Sequence, residues 1–265
     1  MKRIELFNDH FQNYKRYNIP KAQLVIADIP YNVGINAYGS NPSWYIDGDN
    51  KNGESELAGK TFFDTDKDFR IPEFFHFCNR LVKPEPKEKN QAGCMIVFCS
   101  FEQQFILIEE AKKYGFNNYI NLVFRKNFSA QVLKANMRIV GNAEYALLLY
   151  RDKLPKFRNN GKMIFNIMDY PRENNIEKIH PTQKPVQLLE YLIRIFTDKD
   201  DVVIDPVAGS GSSLLAAGNL GRRAYGFEIK KNFFKLAKEK MLKTFQQELF
   251  EQEQEPQQEQ GELEL

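Results

Sequence analysis

The chain has 265 residues, 42% hydrophobic and 13% aromatic, which is enough apolar matter for a buried core and too much for a disordered polymer. It carries 37 Lys and Arg against 35 Asp and Glu, but seven of the acids sit in a tail from Glu248 that holds no base, so the body is basic, as a polyanion partner or a lysine-studded surface requires. No stretch reaches the roughly 18 apolar residues of a membrane helix, the Met1-Lys2-Arg3-Ile4 start leads into acids rather than a signal peptide, and Cys78, Cys94 and Cys99 in apolar surroundings read as reduced thiols of a cytoplasmic protein.

The elements alternate along the chain. Short apolar runs at 4–7 and 24–27 read as strands. Pro72 opens a helix to about 82. The unbroken apolar run 94–99 fits a strand buried on both faces. A helix over 101–114 stops at Gly115, and strands at 119–124 and 144–150 form an antiparallel hairpin. Further on come a helix at 186–197, a strand at 202–205, a helix at 212–219, a strand at 224–228 and a closing helix at 233–245. This rhythm predicts an α/β fold, a doubly wound and mostly parallel sheet of seven strands.

Three stretches break the rhythm. Residues 36–70 are long and polar, as binding loops are. Their Asp47-Gly48-Asp49-Asn50-Lys51-Asn52-Gly53 run lacks the full calcium-loop spacing, and His10 and His76 stand away from other ligands, so no metal is expected. Residues 151–178 interleave bases with aromatics. Residues 246–265 are Gln/Glu-rich and read as a solvated helix extension or disorder.

Two segments carry chemistry. Val202-Val203-Ile204-Asp205 runs through Pro206-Val207-Ala208-Gly209-Ser210-Gly211 into a helix, which brings backbone N–H groups and a helix N-terminus up to a ligand. Glu228 ends the next strand about twenty residues on, where an acid accepts from ribose hydroxyls. A plain structural turn is the alternative. Leu24-Val25-Ile26-Ala27 ends in Asp28-Ile29-Pro30-Tyr31. A carboxylate and a peptide carbonyl that accept both N–H bonds of a ring amine favour a pyramidal nitrogen and stabilise its developing charge, while Tyr31 offers a stacking face. A strand ending in an ordinary turn reads equally well from these four residues alone.

Together these segments resemble the β-class exocyclic-amino DNA methyltransferases. Asp28-Ile29-Pro30-Tyr31 is similar to their Asp-Pro-Pro-Tyr motif, Asp205 to Gly211 to their S-adenosylmethionine loop, and His180-Pro181-Thr182-Gln183-Lys184-Pro185 to the segment before that loop. The order, catalytic motif first, is that of the β class, and Asn142-Ala143-Glu144-Tyr145 also has a family counterpart. The resemblance implies a Rossmann-like methyltransferase domain over 1–245, with 36–70 and 151–178 as insertions that recognise DNA. It implies methyl transfer from S-adenosylmethionine to adenine N6 in double-stranded DNA, with the base flipped out.

By the same resemblance, Asp28 accepts from the target amine, Ile29 lends its carbonyl, Pro30 stiffens the turn and Tyr31 stacks. Asp9, His180, Thr182, Lys184, Asp205, Pro206, Gly209, Ser210, Gly211 and Glu228 hold the cofactor. Lys126, Lys134, Arg138, Arg151, Lys153, Lys156 and Arg158 are the expected DNA contacts, and a homodimer is a further expectation. Ile29 departs from the family's proline, which restores an N–H. Cytosine-N4 methylation, methylation of a small-molecule or protein amine, and a DNA-binding member without catalysis stay open.

Overall fold

The computed structural model describes residues 4–31, 69–127, 131–134, 139–170, 173, 175–180, 182–243 and 245. They form strands β1 (Ile4–Phe7), β2 (Leu24–Asp28), β3 (Cys94–Cys99), β4 (Asn118–Lys126), β5 (Gln131–Lys134), β6 (Ile139–Gly141), β7 (Ala143–Tyr150), β8 (Ile167–Tyr170), β9 (Val202–Asp205) and β10 (Arg223–Phe227). The helices are α1 (Ile71–Leu81), α2 (Gln103–Lys113), α3 (Val186–Phe196), α4 (Ser212–Asn219) and α5 (Lys231–Leu236), with a 3-10 turn at Phe11–Arg16 and a π turn at Ala237–Met241.

The main sheet has eight strands in the order β1-β10-β9-β2-β3-β7-β4-β8. β7 runs against both neighbours, β3 and β4, and the other pairings are parallel. The expected seven strands are therefore corrected to eight. The addition is β8, which lies inside the basic stretch 151–178 and pairs with β4, Val123 opposite Ile167 and Lys126 opposite Tyr170. β5 and β6 make a separate antiparallel ribbon between β4 and β7. The closing helix is interrupted rather than continuous, α5 giving way to the π turn before helical residues at 243 and 245.

Strand periodicity sorts the central residues onto two faces. Leu24, Ile26, Cys94, Ile96 and Phe98 pack with α3 and α4 in one core. Val25, Ala27, Met95 and Val97 pack with α1 and α2 in the other. Both faces are thus covered, which is why β2, β3 and β9 read as unbroken apolar runs. Each such fully buried aliphatic or aromatic side chain contributes roughly 1.5–3 kcal/mol of transfer free energy. The three cysteines are free and buried, and no helix among the described residues is long and apolar enough to cross a membrane.

The parallel strands direct their carboxyl ends, Phe7, Asp28, Cys99, Lys126, Tyr170, Asp205 and Phe227, to one rim. The reversed β7 brings its first residues, Ala143 and Glu144, to that rim as well. α3 starts at this rim, where the Glu173 carboxylate accepts from Val186 N at 2.9 and 3.0 Å and Gln187 N at 3.4 Å, and runs to the opposite end of the sheet. An acid there satisfies helix-terminal donors and suits the helix dipole.

At the opposite end of the sheet the chain is tied by ions. Lys156 Nζ lies 2.8 Å from Asp198 Oδ2 and 2.6 Å from Asp201 Oδ2, and Lys83 Nζ lies 3.0 Å from Asp201 Oδ1. Arg158 makes a two-pronged contact with Asp198 at 2.7 and 2.6 Å.

Candidate active site at the carboxyl rim of the sheet

Asp28 closes β2 in the middle of the sheet. Its Oδ2 accepts from Lys184 Nζ at 2.6 Å, and Lys184 Nζ also lies 3.2 Å from Glu144 Oε1. Lys126 Nζ sits 3.4 Å from Glu144 Oε2, with both side chains nearly sealed at 12% and 11% exposure. Two acids and two lysines thus form one buried, charge-balanced row. The Lys184 side chain is 6% exposed. Burial works against its charge, yet Asp28 and Glu144 overcome this and hold the ammonium above its ordinary value.

The two acids differ. Burial works against the charge of Glu144 too, but Lys184 and Lys126 outweigh it and hold this carboxyl below its usual range. At Asp28 burial and the neighbouring Glu144 charge outweigh Lys184 and the Tyr31 hydroxyl, so this carboxyl lies above the usual range. Asp28 is therefore the better proton acceptor of the pair. Its Oδ1 is buried and has no hydrogen-bond partner. A buried carboxylate oxygen left without a donor is costly.

Tyr31 closes over this row. Its hydroxyl donates to Glu144 Oε1 at 3.4 Å, and Lys184 Nζ stands 5.7 Å from its ring centroid and 5.2 Å from that of Phe98. Burial and the neighbouring acids Asp28 and Glu144 raise the phenol well above its ordinary value, so it is neutral. Tyr170, at the end of β8, is pushed up in the same way by burial and Glu144, and Lys126 Nζ lies 4.7 Å from its ring centroid. Ile29 is buried to 1% exposure in the α1/α2 core, and its N–H donates to Phe98 O at 3.3 Å. A proline at 29 has no such donor.

Beside β2 the cofactor-loop candidate forms a tight turn. Asp205 Oδ1 accepts from Val207 N at 3.0 Å, and its other oxygen accepts from the Ser213 hydroxyl. Burial pushes this carboxyl up to about 7. Gly209 and Gly211 take φ of +52° and +77°, which favours glycine. A Cβ on Gly209 would come 3.4 Å from the His180 ring. Glu228 accepts from Gly209 N at 2.9 Å and Lys230 N at 2.7 Å, and burial raises it to about 6. Pro206 and Ser210 are buried in the same turn.

His180 packs edge-on against Phe233, ring centroids 4.3 Å apart, and its Nδ1 meets the Thr182 N–H at 3.3 Å and hydroxyl at 3.1 Å. Burial and nearby lysines lower it to about 4, so it is a neutral wall. Asp9 stands on the rim after β1, where it accepts from His10 N at 2.7 Å, Asn13 Nδ2 at 2.6 Å and Tyr17 OH at 2.9 Å.

The structure therefore brings together Asp28, Ile29, Pro30, Tyr31 and Lys184, and beside them Asp205, Pro206, Gly209, Ser210, Gly211, Glu228, His180 and Thr182. Lys184 faces the acid of β2 rather than the glycine turn. The expected DNA contacts divide. Lys126 is inside the ionic row. Arg151, Lys153, Lys156 and Arg158 lie at the far end of the sheet. There Arg151 covers the Phe116 ring at 4.5 Å and bonds Asn79, and Lys153 Nζ donates to Pro86 O at 2.7 Å. Lys134 lies on the β5–β6 ribbon. Arg138 and most of the 36–70 stretch fall outside the described residues, as does the 246–265 tail. Among the described residues no cluster of potential metal ligands occurs.

Sequence reasoning gave no part to Gln103, although the Ser100-x-x-Gln103 spacing of a capping box was there to be read. Gln103 Nε2 donates to Pro30 O at 2.7 Å, and its Oε1 accepts from Ser100 N at 3.0 Å. Glu173 and Tyr170 were missed as well.

Residues 22–239 match the family model of the N6/N4 DNA methylases. The DNA adenine methyltransferase YhdJ of Escherichia coli (strain K12) is 27% identical over 253 residues, 87% of this chain and 80% of that protein. The crystal structure of the M1.HpyAVI–SAM complex superposes with a TM-score of 0.62 at 24% identity, covering 90% of this chain and 98% of that one. The PvuII DNA methyltransferase, cytosine-N4-specific, does so with a TM-score of 0.63 at 16% identity, covering 89% and 86%. At such identity these two likenesses bear on the fold alone.

Proposed function

Because this chain belongs to the N6/N4 DNA methylase family, we propose that it methylates the exocyclic N6 of adenine in double-stranded DNA, with S-adenosylmethionine as methyl donor. The observation that carries the reading is Asp28, a half-buried acid with Oδ2 held by Lys184 and a sealed Oδ1 left without a donor. That oxygen is an acceptor waiting for an N–H. The acid at position 28, together with the adenine-directed relative, favours adenine over cytosine.

The glycine turn fits the donor. Its two left-handed glycines leave the approach clear of side chains, and the buried acids Asp205 and Glu228 suit ribose hydroxyls and a cationic ligand. When bound, S-adenosylmethionine supplies an electrophilic methyl group. Gly209, Gly211, Asp205 and Glu228 hold it, with His180 as the neutral wall. Asp9, already bonded within its own turn, has the weakest claim.

The chain's own work is on the amine. A flipped base stacks on Tyr31, and its amino group donates to Asp28 Oδ1 and the Ile29 carbonyl. The amine that accepted the methyl would carry a positive charge, and Asp28 is the acid placed to take its surplus proton. Glu144 and Lys126 hold Lys184 in place, so the acid is aimed without being fully quenched. Contact with DNA phosphate is assigned to the β5–β6 ribbon, which rises beside Lys126 and carries Lys134, and to the 36–70 stretch. Self-association through the exposed apolar residues Phe165 and Ile167 at the β8 edge completes the proposal.

Tritiated S-adenosylmethionine and unmethylated duplex DNA test this directly. Label recovered in N6-methyladenine is expected. Label only in N4-methylcytosine, or none, defeats the adenine reading.

A further inference from the structure

In a parallel ladder, a residue's N–H donates to one strand neighbour and its carbonyl accepts from the residue two positions further along that neighbour. Ile29 begins such a step, since its N–H donates to Phe98 O at 3.3 Å. The donor due to complete it, onto the Ile29 carbonyl, is the N–H of Ser100. That N–H is turned away and given to Gln103 Oε1 at 3.0 Å. The same side chain's Nε2 takes the next carbonyl, Pro30 O, at 2.7 Å. Gln103 is itself fixed, its N–H donating to Ser100 Oγ at 3.3 Å and its side chain buried to 8% exposure.

We infer that Gln103 is a positioning residue that selects which backbone carbonyl meets the target amine. It removes the ladder donor that would occupy Ile29 O, and it occupies Pro30 O. Among the described residues, Ile29 O is thus the carbonyl of the pair left as the second acceptor beside Asp28. This also explains how isoleucine serves at position 29. The rigidity a proline supplies covalently comes here from the Ile29 N–H on one side and the Gln103 amide on the other. A simple helix cap accounts for the two Ser100–Gln103 bonds but not for the bond to Pro30, which leaves the helix altogether.

The inference rests on the proposed transfer to a base amine. The test compares the full-length protein with Gln103→Glu, which keeps the cap acceptor and loses the donor to Pro30 O, and with Gln103→Met, which fills the same space without polar atoms. Ser100→Ala, which weakens the cap alone, is the structural control. Turnover and KM for duplex DNA are read with tritiated S-adenosylmethionine, and cofactor affinity and the thermal midpoint are read separately. Both Gln103 variants should lose kcat by about 10- to 100-fold, the range a misplaced acceptor costs, with cofactor affinity within about three-fold. Ser100→Ala should lower the midpoint while kcat stays within about two-fold. A Gln103→Glu or Gln103→Met protein that folds and turns over within two-fold of the wild type overturns the inference. So does a loss of kcat in Ser100→Ala equal to theirs, which reduces Gln103 to a cap. A wild-type protein that binds the donor and labels no base sinks the transfer reading itself, and this inference with it.

Discussion

Replacing Lys184 by Met tests the ionic row as a whole. The ammonium lies 2.6 Å from Asp28 Oδ2 and 3.2 Å from Glu144 Oε1 in a pocket that leaves it 6% exposed. At an effective dielectric near 20, each contact is worth about 5–6 kcal/mol of attraction. Most of that is offset by desolvation, so removal of one partner from a buried cluster costs about 3–5 kcal/mol overall. Lys126 still neutralises Glu144, so the stranded charge belongs to Asp28, which rises further above its ordinary value and takes up a proton. The folded variant then holds a proton that the unfolded chain has already released, so its stability falls as pH rises. The deficit against wild type should be about 3–5 kcal/mol at pH 8 and smaller by one or more at pH 5. Adding Asp28→Asn should restore part of it, and methyl transfer by the single variant should fall at least about 100-fold. Denaturant titrations of the wild type, the single variant and the double variant at both pH values measure this. Equal deficits at pH 5 and pH 8, or no recovery in the double variant, would refute the assignment of the uncompensated charge to Asp28.

Gly209→Ala forces an L side chain to φ +52° with the His180 ring 3.4 Å away, so calorimetry should show a loss of about 1–2 kcal/mol in stability and weaker cofactor binding. Wild-type affinity for S-adenosylmethionine should fall as pH drops through about 6, where the raised Glu228 carboxyl gains its proton. Glu228→Gln should bind about ten-fold more weakly at pH 8 and keep only the dependence near 7 that Asp205 contributes, as isothermal titration would reveal. Lys156→Met should cost about 2–3 kcal/mol, less than a sealed pair because the Asp198 side chain is 41% exposed. DNA affinity of the folded variant should remain within two-fold, and a large loss in a filter-binding assay would return Lys156 to the DNA surface.

The central strands were legible because burial on both faces writes a continuous apolar run, as in Cys94–Cys99. β8 was not, because it is an edge strand with Ile167 58% exposed and Asp169 facing water, so its composition matches the loop around it. The glycine turn and Asp28 were legible from their positions after such runs. Lys184 was visible as part of a motif, but nothing local says that acids from β2 and β7 converge on its ammonium. The ion pairs within the basic run from Arg151 to Arg158 were not legible, for the converse reason. A lysine bound to phosphate and one bound to a distant carboxylate look alike in sequence, and the partners Asp198 and Asp201 come some forty positions later.

The strand order also dictates a sequence of events in time. β4 and β7 meet across a short stretch of chain, so their hairpin can form while the polypeptide is still being made. β2 pairs on one side with β3 but must wait on the other for β9, and β1 waits for β10, with Ile4 opposite Ala224. Until the last strands emerge, the apolar edges of β1 and β2 lack their neighbours, which leaves a nascent chain open to mispairing. The half of the rim that carries Asp205 and Glu228 is therefore assembled last, and the acid at Asp28 exists before there is anything for it to work with.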